Sequence, residues 1–133
     1  MRTTEMMNAY PAEINLDRDL LARTVDALVA CAQVCAACAD ACLSEEMVSE
    51  LRKCIRTDLD CADICATTAR ILSRQTGYDA KVTRAQLQAC VQACQSCGDE
   101  CAQHADHHEH CRICAEACRA CEQACAELLA AIA

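Results

Sequence analysis

The sequence has no Phe and no Trp, and only two Tyr occur among its 133 residues. Because flavins and nucleic-acid bases are commonly held by stacking on aromatic side chains, this shortage disfavours both kinds of ligand. Clustered basic residues are lacking as well: 12 Lys and Arg face 20 Asp and Glu, for a formal net charge of −8. A protein that binds a phosphate backbone needs the opposite balance, so we expect no nucleic-acid partner.

Glycine and proline are scarce too, with two Gly and one Pro, so few positions interrupt a helix. The polar N-terminal segment contains Pro11 and has no apolar run of the kind found in signal peptides. No uninterrupted apolar stretch approaches the roughly 20 residues that span a membrane. We therefore expect a cytoplasmic protein without a membrane partner, in a compartment where thiols stay reduced.

Four long helices are predicted from the capping residues and from the abundance of Ala, Leu, Gln and Glu. Asn15 or Asp17 is expected to cap the first helix, which should run to about Leu43. Ser44 is expected to start the second helix, which should end near Gln75.

The other two predicted helices follow turns of different composition. Residues 83–86, Thr-Arg-Ala-Gln, match a capping box for the third helix, although Asp79 offers an earlier start. Asp106, in the histidine-rich segment HADHHEH, is the expected cap of the fourth helix. Short turns between long helices predict an all-α fold, an antiparallel up-down-up-down four-helix bundle. Residues 1–15 are predicted to be an N-terminal extension, and residues 16–133 to form the single bundle domain.

Cysteine is abundant and regularly spaced within these helices. Intervals of four, three and four residues recur, which places the thiols along one face of each helix. In the second predicted helix Asp58 fills one slot of the same spacing. Leucines continue the stripes, so we expect the cysteines to face the core and to line it with sulfur. The 16 cysteines are Cys31, Cys35, Cys38, Cys42, Cys54, Cys61, Cys65, Cys90, Cys94, Cys97, Cys101, Cys111, Cys114, Cys118, Cys121 and Cys125.

Packing and disulfide formation do not account for these stripes. Ala, Val or Leu would fill a core without the oxidation hazard that 16 thiols bring. Cysteines one turn apart on the same helix have poor disulfide geometry, and a bond between them would fix nothing new. A thiol redox enzyme or peroxide buffer needs one accessible thiol of low pKa. Cys111, close to His108 and His110 in the sequence, is the best candidate for that alternative.

Metal binding is the remaining role, and charge favours Cu(I). Four thiolates around one Zn²⁺ leave two uncompensated negative charges, whereas Cu(I) at about one ion per thiolate leaves the core nearly neutral. The ferredoxin spacing C-x₂-C-x₂-C-x₃-C is absent, and so are the Glu-x-x-His pairs of di-iron bundles. The sequence therefore predicts multiple Cu(I) ions as cargo, with zinc or iron–sulfur binding as the alternative.

The stripes at 31–42, 90–101 and 114–125 resemble those of the copper storage proteins, a family of Cu(I)-binding four-helix bundles. The resemblance covers nearly all of the chain after about Asp17. It implies a cytosolic store that buffers many Cu(I) ions and is not an enzyme. It also implies a homotetramer of bundles. A copper chaperone that delivers to a client is a further possibility.

The resemblance also implies an entry region for copper at the end of the bundle that carries the histidines. It implies that this region contains Asp58, His104, His108 and His110. The spacing supports His104, three residues beyond Cys101 on the same stripe, whereas Asp58 lies about 20 Å from Ser44 if the second helix starts there.

Two other side chains near this end are given ordinary roles. Met47 is expected to pack in the core, and His107 to lie in a solvated turn.

A helical metal-free protein is the first expectation that can be tested. Because cysteine packs as a thiol, the bundle should fold before any copper binds. Far-ultraviolet circular dichroism of the reduced, metal-free protein should therefore show a largely helical spectrum. A largely unfolded spectrum that becomes helical only when Cu(I) is added would contradict this expectation.

Overall fold

Helices dominate the computed structural model, which describes residues 1–132 and contains no β-strand within that range. The all-α prediction is confirmed. The last residue of the predicted domain, Ala133, lies outside the described residues. The helices are α1 Thr3–Ala9, α2 Arg18–Leu43, α3 Arg52–Leu72, α4 Ala80–His104 and α5 Glu109–Ala131, with a 3-10 segment at Val48–Leu51.

The four long helices form a ring, in which α2 and α4 each contact both α3 and α5. The start of α2 lies beside the end of α5, where the Thr24 hydroxyl is 3.4 Å from the Ala124 carbonyl oxygen. Their other ends also meet, because the Sγ atoms of Cys38 and Cys111 are 4.0 Å apart. Short turns join the successive helices. This arrangement is consistent with the predicted up-down-up-down order.

Aspartates begin two of the long helices. The Asp17 carboxylate accepts a hydrogen bond from the Leu20 N–H at 2.8 Å, which confirms Asp17 as the cap of α2. Asp79 caps α4, because its Oδ1 accepts from Lys81 N–H at 2.9 Å and Val82 N–H at 3.4 Å. The capping box predicted at residues 83–86 is therefore wrong. The earlier carboxylate already satisfies the free N–H groups, and Thr83 lies buried inside the helix.

The turns on either side of the histidine-bearing end also differ from the prediction. Ser44 ends α2, because its N–H donates to the carbonyls of the last turn, and α3 starts only at Arg52. Between the two helices, the 3-10 segment places the Leu51 side chain in the core, and α3 begins at the next residue. Asp106 does not cap α5. His108 occupies the cap position and makes no side-chain capping bond, because its imidazole contacts Glu45 instead.

One end of the core is closed by leucine. The buried side chains there are Leu21, Leu28, Leu72, Leu87 and Leu128. Helix α1 packs on α2, and its Met7 joins the same buried cluster. Arg18 donates a hydrogen bond to the Met7 carbonyl at 3.2 Å, and the hydroxyls of Tyr10 and Thr76 are 3.0 Å apart. Residues of the predicted N-terminal extension thus contribute to the closed end.

Among the described residues, one helix is long and apolar enough to span a membrane by length and composition alone. This helix is α2, whose most apolar window has a mean hydropathy of 1.6. A core helix of a bundle can be equally long and apolar, and the buried side of α2, with its four cysteines, packs against α3 and α5. The measure is therefore weak evidence for a membrane span.

Leucine packing at the closed end predicts a large loss of stability when it is disturbed. Leu28 is fully buried, so Leu28→Ala should lower the free energy of unfolding of the metal-free protein by about 2–5 kcal/mol. Leu43 lies on the same helix but is 61% exposed, so Leu43→Ala should change it by no more than about 0.5 kcal/mol. Urea denaturation followed by circular dichroism measures both, and equal losses would contradict the packing described.

Candidate metal centre

The sixteen thiols form one continuous buried column. All of the cysteines are buried and none is in a disulfide. Within a helix, neighbouring sulfurs one turn apart approach to 3.8 Å, as in Cys31 and Cys35. Between helices the contacts are equally close, 3.7 Å between Cys35 and Cys114 and 3.6 Å between Cys54 and Cys101. The prediction of a core lined with sulfur is therefore confirmed.

The column is built from groups of four thiols that overlap. In each group the sulfur atoms all lie within 4.8 Å of one another. Neighbouring groups share members: Cys31 belongs to two of them, and so do Cys35 and Cys118. Four such groups are Cys31–Cys65–Cys94–Cys121, Cys31–Cys35–Cys61–Cys118, Cys35–Cys97–Cys114–Cys118 and Cys38–Cys42–Cys54–Cys111. Shared donors suit soft metal ions bridged by sulfur better than isolated tetrahedral zinc sites.

Asp58 lies among the thiols and has no solvent exposure. Its Oδ1 accepts hydrogen bonds from the Sγ atoms of Cys97, Cys101 and Cys114 at 3.1, 3.2 and 3.3 Å. Burial, with the hydrogen bond to Cys97, raises the pKa of Asp58 to about 9, so its carboxyl is neutral at neutral pH in the metal-free protein. The slot that Asp58 fills in the stripe thus lies inside the column, deeper than the surface end.

His110 makes the closest histidine contact with the column. Its Nδ1 is 3.4 Å from Cys38 Sγ and 3.6 Å from Cys111 Sγ, and its Nε2 is 3.0 Å from the Glu45 carboxylate. Partial burial opposes the charged form of the ring, but the bonds to Cys38 and Glu45 raise the pKa of His110 overall. His110 therefore connects the surface to the thiol group Cys38–Cys42–Cys54–Cys111, which we call the outermost thiol group.

The other two predicted histidines each pair with a carboxylate. His108 Nδ1 lies 2.6 Å from Glu45 Oε2, the same oxygen that contacts His110. His104 Nε2 lies 3.0 Å from Glu100 Oε2. Glu100 is almost fully buried and also pairs with Lys53 at 3.7 Å. The structure thus gathers all three histidines at one end of the bundle.

A surface cavity of about 450 Å³ opens at this end, which we call the mouth. The residues that line it are Met47, Glu50, Leu51, His104, His107 and His108. Met47 is 54% exposed, so the expectation that it packs in the core is wrong; Leu51 fills the core at this turn instead. His107 is exposed, as expected for a solvated turn.

Sequence reasoning missed the two acidic partners of the histidines. Glu100 stands four residues before His104 on one helix, a spacing at which side chains meet, and this signal was available. Glu45 is 65 residues from His110, and only the apposition of two turns brings them together. No local pattern indicates such a contact.

Burial argues against a redox enzyme centred on Cys111. This thiol has no solvent exposure, and desolvation raises its pKa. Desolvation likewise raises the pKa of the neighbouring Cys42 to about 12. A peroxide-reactive cysteine needs the opposite properties, access to solvent and a stabilised thiolate.

The fold and the column together define a class: helical bundles that hold several soft metal ions on shared, buried cysteine sulfurs. Residues 17–130 match the family model of the copper storage proteins, Csp. This match extends over most of the chain, from the cap of α2 to the last turn of α5. The chain therefore belongs to the copper storage protein family.

Solved structures of one such protein are closely similar. The copper storage protein Ccsp from Streptomyces lividans, loaded with 10 copper equivalents, is 62% identical, with a TM-score of 0.96 over 97% of this chain and 98% of that chain. A second structure, of a cytosolic copper storage protein from Streptomyces lividans with five coppers, is 65% identical over 86% of this chain and 96% of that one, with a TM-score of 0.86.

A curated relative matches at lower identity. The uncharacterized cysteine-rich protein YhjQ from Bacillus subtilis (strain 168) is 33% identical over 91 residues, which are 68% of this chain and 79% of that protein.

The raised pKa of Asp58 predicts how stability depends on pH. The carboxyl keeps its proton in the folded protein up to about pH 9 but loses it near pH 3.8 when unfolded, so stability falls as pH rises through this window. Asp58→Asn removes the ionisation. Both proteins are compared in their metal-free forms. The free energy of unfolding of the variant minus that of the native protein should therefore increase by about 2–4 kcal/mol from about pH 4 to about pH 7.

Denaturant titrations of the metal-free proteins at these two pH values measure that difference. The control is Asp60→Asn, at an exposed carboxylate on the same helix that pairs with Arg56. Parallel pH profiles for native protein and Asp58→Asn would show that Asp58 is ionised in the core.

Proposed function

We propose that this protein stores and buffers Cu(I) in the cytosol, binding about one ion per cysteine thiolate, and that it catalyses no reaction. The observation that carries the proposal is the continuous column of overlapping thiol groups. Cu(I) accepts two or three thiolates and shares them with neighbouring ions, so every sulfur in such a column can serve. The predicted domain, residues 16–133, contains all sixteen cysteines.

Charge balance explains how a buried core accepts so many ions. A thiol that binds Cu(I) releases its proton, so each ion that enters is matched by one proton that leaves. The net charge of the core stays the same, and no isolated charge is left in the low-dielectric interior. Zn²⁺ bound by four thiolates would leave two negative charges per ion and would be opposed by burial.

The same geometry supports a proposed set of copper ligands. We assign all sixteen cysteines as copper ligands, with Asp58 accompanying the thiols of the outer half of the column. His104 and His108 line the mouth, and His110 lies beside His108; we assign all three to copper entry, with His110 Nδ1 in reach of the outermost thiol group. Imidazole nitrogen is a suitable donor for copper in transit.

The cytosolic location and the oligomer are part of the proposal. The location is supported by the similar Streptomyces lividans protein, which is described as cytosolic. Homo-oligomerisation, as a tetramer by family resemblance, is supported by apolar side chains that remain exposed on the bundle. Val29, Leu59 and Ile113, which lie off the cysteine stripes, are 40%, 48% and 44% exposed in the single chain.

A Cu(I) titration tests the storage function directly. Reduced protein titrated anaerobically with Cu(I), in competition with a chromogenic Cu(I) chelator, should reach a sharp endpoint at about 16 equivalents. In weakly buffered solution, about one proton should be released per ion bound.

An endpoint of one to four equivalents would contradict storage and favour discrete zinc, iron–sulfur or redox sites. The rate of transfer to excess chelator separates storage from delivery to a client: release should be slow from a store and fast from a chaperone. Parallel titration with Zn²⁺ serves as the control and should bind far fewer ions.

A further inference from the structure

We infer that Glu45 is a positioning residue for copper entry, because it fixes opposite tautomers in His108, which lines the mouth, and in the adjacent His110. This inference rests on the proposed storage function and adds to it a residue that does not itself bind copper. The relevant atoms are one oxygen, Glu45 Oε2, and the two ring nitrogens that contact it, His108 Nδ1 and His110 Nε2.

The contacts of Glu45 are short and involve different nitrogens of the two rings. His108 presents Nδ1 at 2.6 Å, whereas His110 presents Nε2 at 3.0 Å. The two rings are stacked, with centroids 5.5 Å apart and planes inclined by 23°. An ionised carboxylate such as that of Glu45 carries no proton and can only accept hydrogen bonds. Each ring must therefore donate an N–H to it.

A neutral imidazole has one protonated nitrogen, so donation to Glu45 decides which nitrogen is left to bind a metal. In His110 the proton lies on Nε2, and the lone pair of Nδ1 is left to bind a metal ion. That nitrogen is the one 3.4 Å from Cys38 Sγ and 3.6 Å from Cys111 Sγ. In His108 the proton lies on Nδ1, and the lone pair of Nε2 is left to bind a metal ion.

The two free nitrogens serve two different places. His108 lines the mouth cavity, whereas His110 Nδ1 contacts the outermost thiol group. One carboxylate thus prepares an outer and an inner nitrogen donor at once, on two rings that lie against each other. Carboxylates that bond to the far nitrogen of a metal-binding histidine orient the ring and strengthen the ligand, and their loss typically costs about 10-fold to 100-fold in binding or activity.

The tautomers can be read directly in the native protein. Long-range ¹H–¹⁵N correlation spectra of the histidine rings are recorded on the full-length, reduced, metal-free protein, at a pH at which the ring ¹⁵N shifts show that His108 and His110 are both neutral. We expect His108 to carry its proton on Nδ1 and His110 on Nε2. A proton on His108 Nε2, or on His110 Nδ1, would overturn the inference without any mutation.

Loading kinetics test the consequence for copper. Glu45→Ala should slow transfer of the first Cu(I) equivalents from the chromogenic chelator complex by about 10-fold or more, and His108 should lose its fixed tautomer. Glu45→Gln should keep both tautomers and restore most of the rate, because the amide oxygen still accepts both N–H bonds. Glu46→Ala is the matched control, since it removes the same charge from the adjacent, exposed position.

The pattern of results separates positioning from attraction of the cation by negative charge. Equal slowing in Glu45→Gln and Glu45→Ala, or slowing in Glu46→Ala, would show that charge acts and that positioning does not. Unchanged rates in Glu45→Ala would also overturn the inference. The endpoint of the native protein tests storage independently: about 16 equivalents with unchanged rates would refute the role of Glu45 alone, whereas a low endpoint would refute the proposed function.

Discussion

Close contact between thiol sulfurs sets the spacing of the four long helices of this protein. A cysteine side chain is short, so Sγ–Sγ contacts such as 3.6 Å between Cys54 and Cys101 require the helices to approach closely along their whole length. Aromatic side chains would hold the helices apart, and the sequence contains neither Phe nor Trp. The same shortness leaves the interior without large apolar groups, so stability depends on leucine at the closed end.

The two ends of the bundle differ because they meet opposite requirements. At the closed end, leucines and the Met7 side chain of α1 remove apolar surface from water. At the other end, polar groups must remain near solvent, and two carboxylates pair with the histidines there: Glu45 with His108 and His110, and Glu100 with His104 and also Lys53. Among the described residues, no buried side-chain nitrogen or oxygen lacks a hydrogen-bond partner. The polar groups at this end are thus held in place without weakening the fold.

The fold and the thiol column were predictable because both depend on periodicity. The step of four, three and four residues fixes one face of a helix, and it even identified Asp58 as an acid in a thiol position. The turns were less predictable. Residues 83–86 have the composition of a capping box, but Asp79, four positions before Thr83, caps the helix instead. Met47 was expected in the core, but Leu51 is the buried side chain at that turn. Glu45 could not be found at all, since its contact with His110 is made by tertiary structure and by no local pattern.

Overlap between thiol groups affects the order in which ions come and go. An ion can pass from one group to the next by exchanging a single shared sulfur, such as Cys35 or Cys118, and need never leave the protein. With leucine at one end and the mouth at the other, ions that enter only at the mouth would have to leave in the reverse of the order in which they entered. On that path an ion near Cys42 would be the first to exchange, and one beside Cys90 and Cys125 the last.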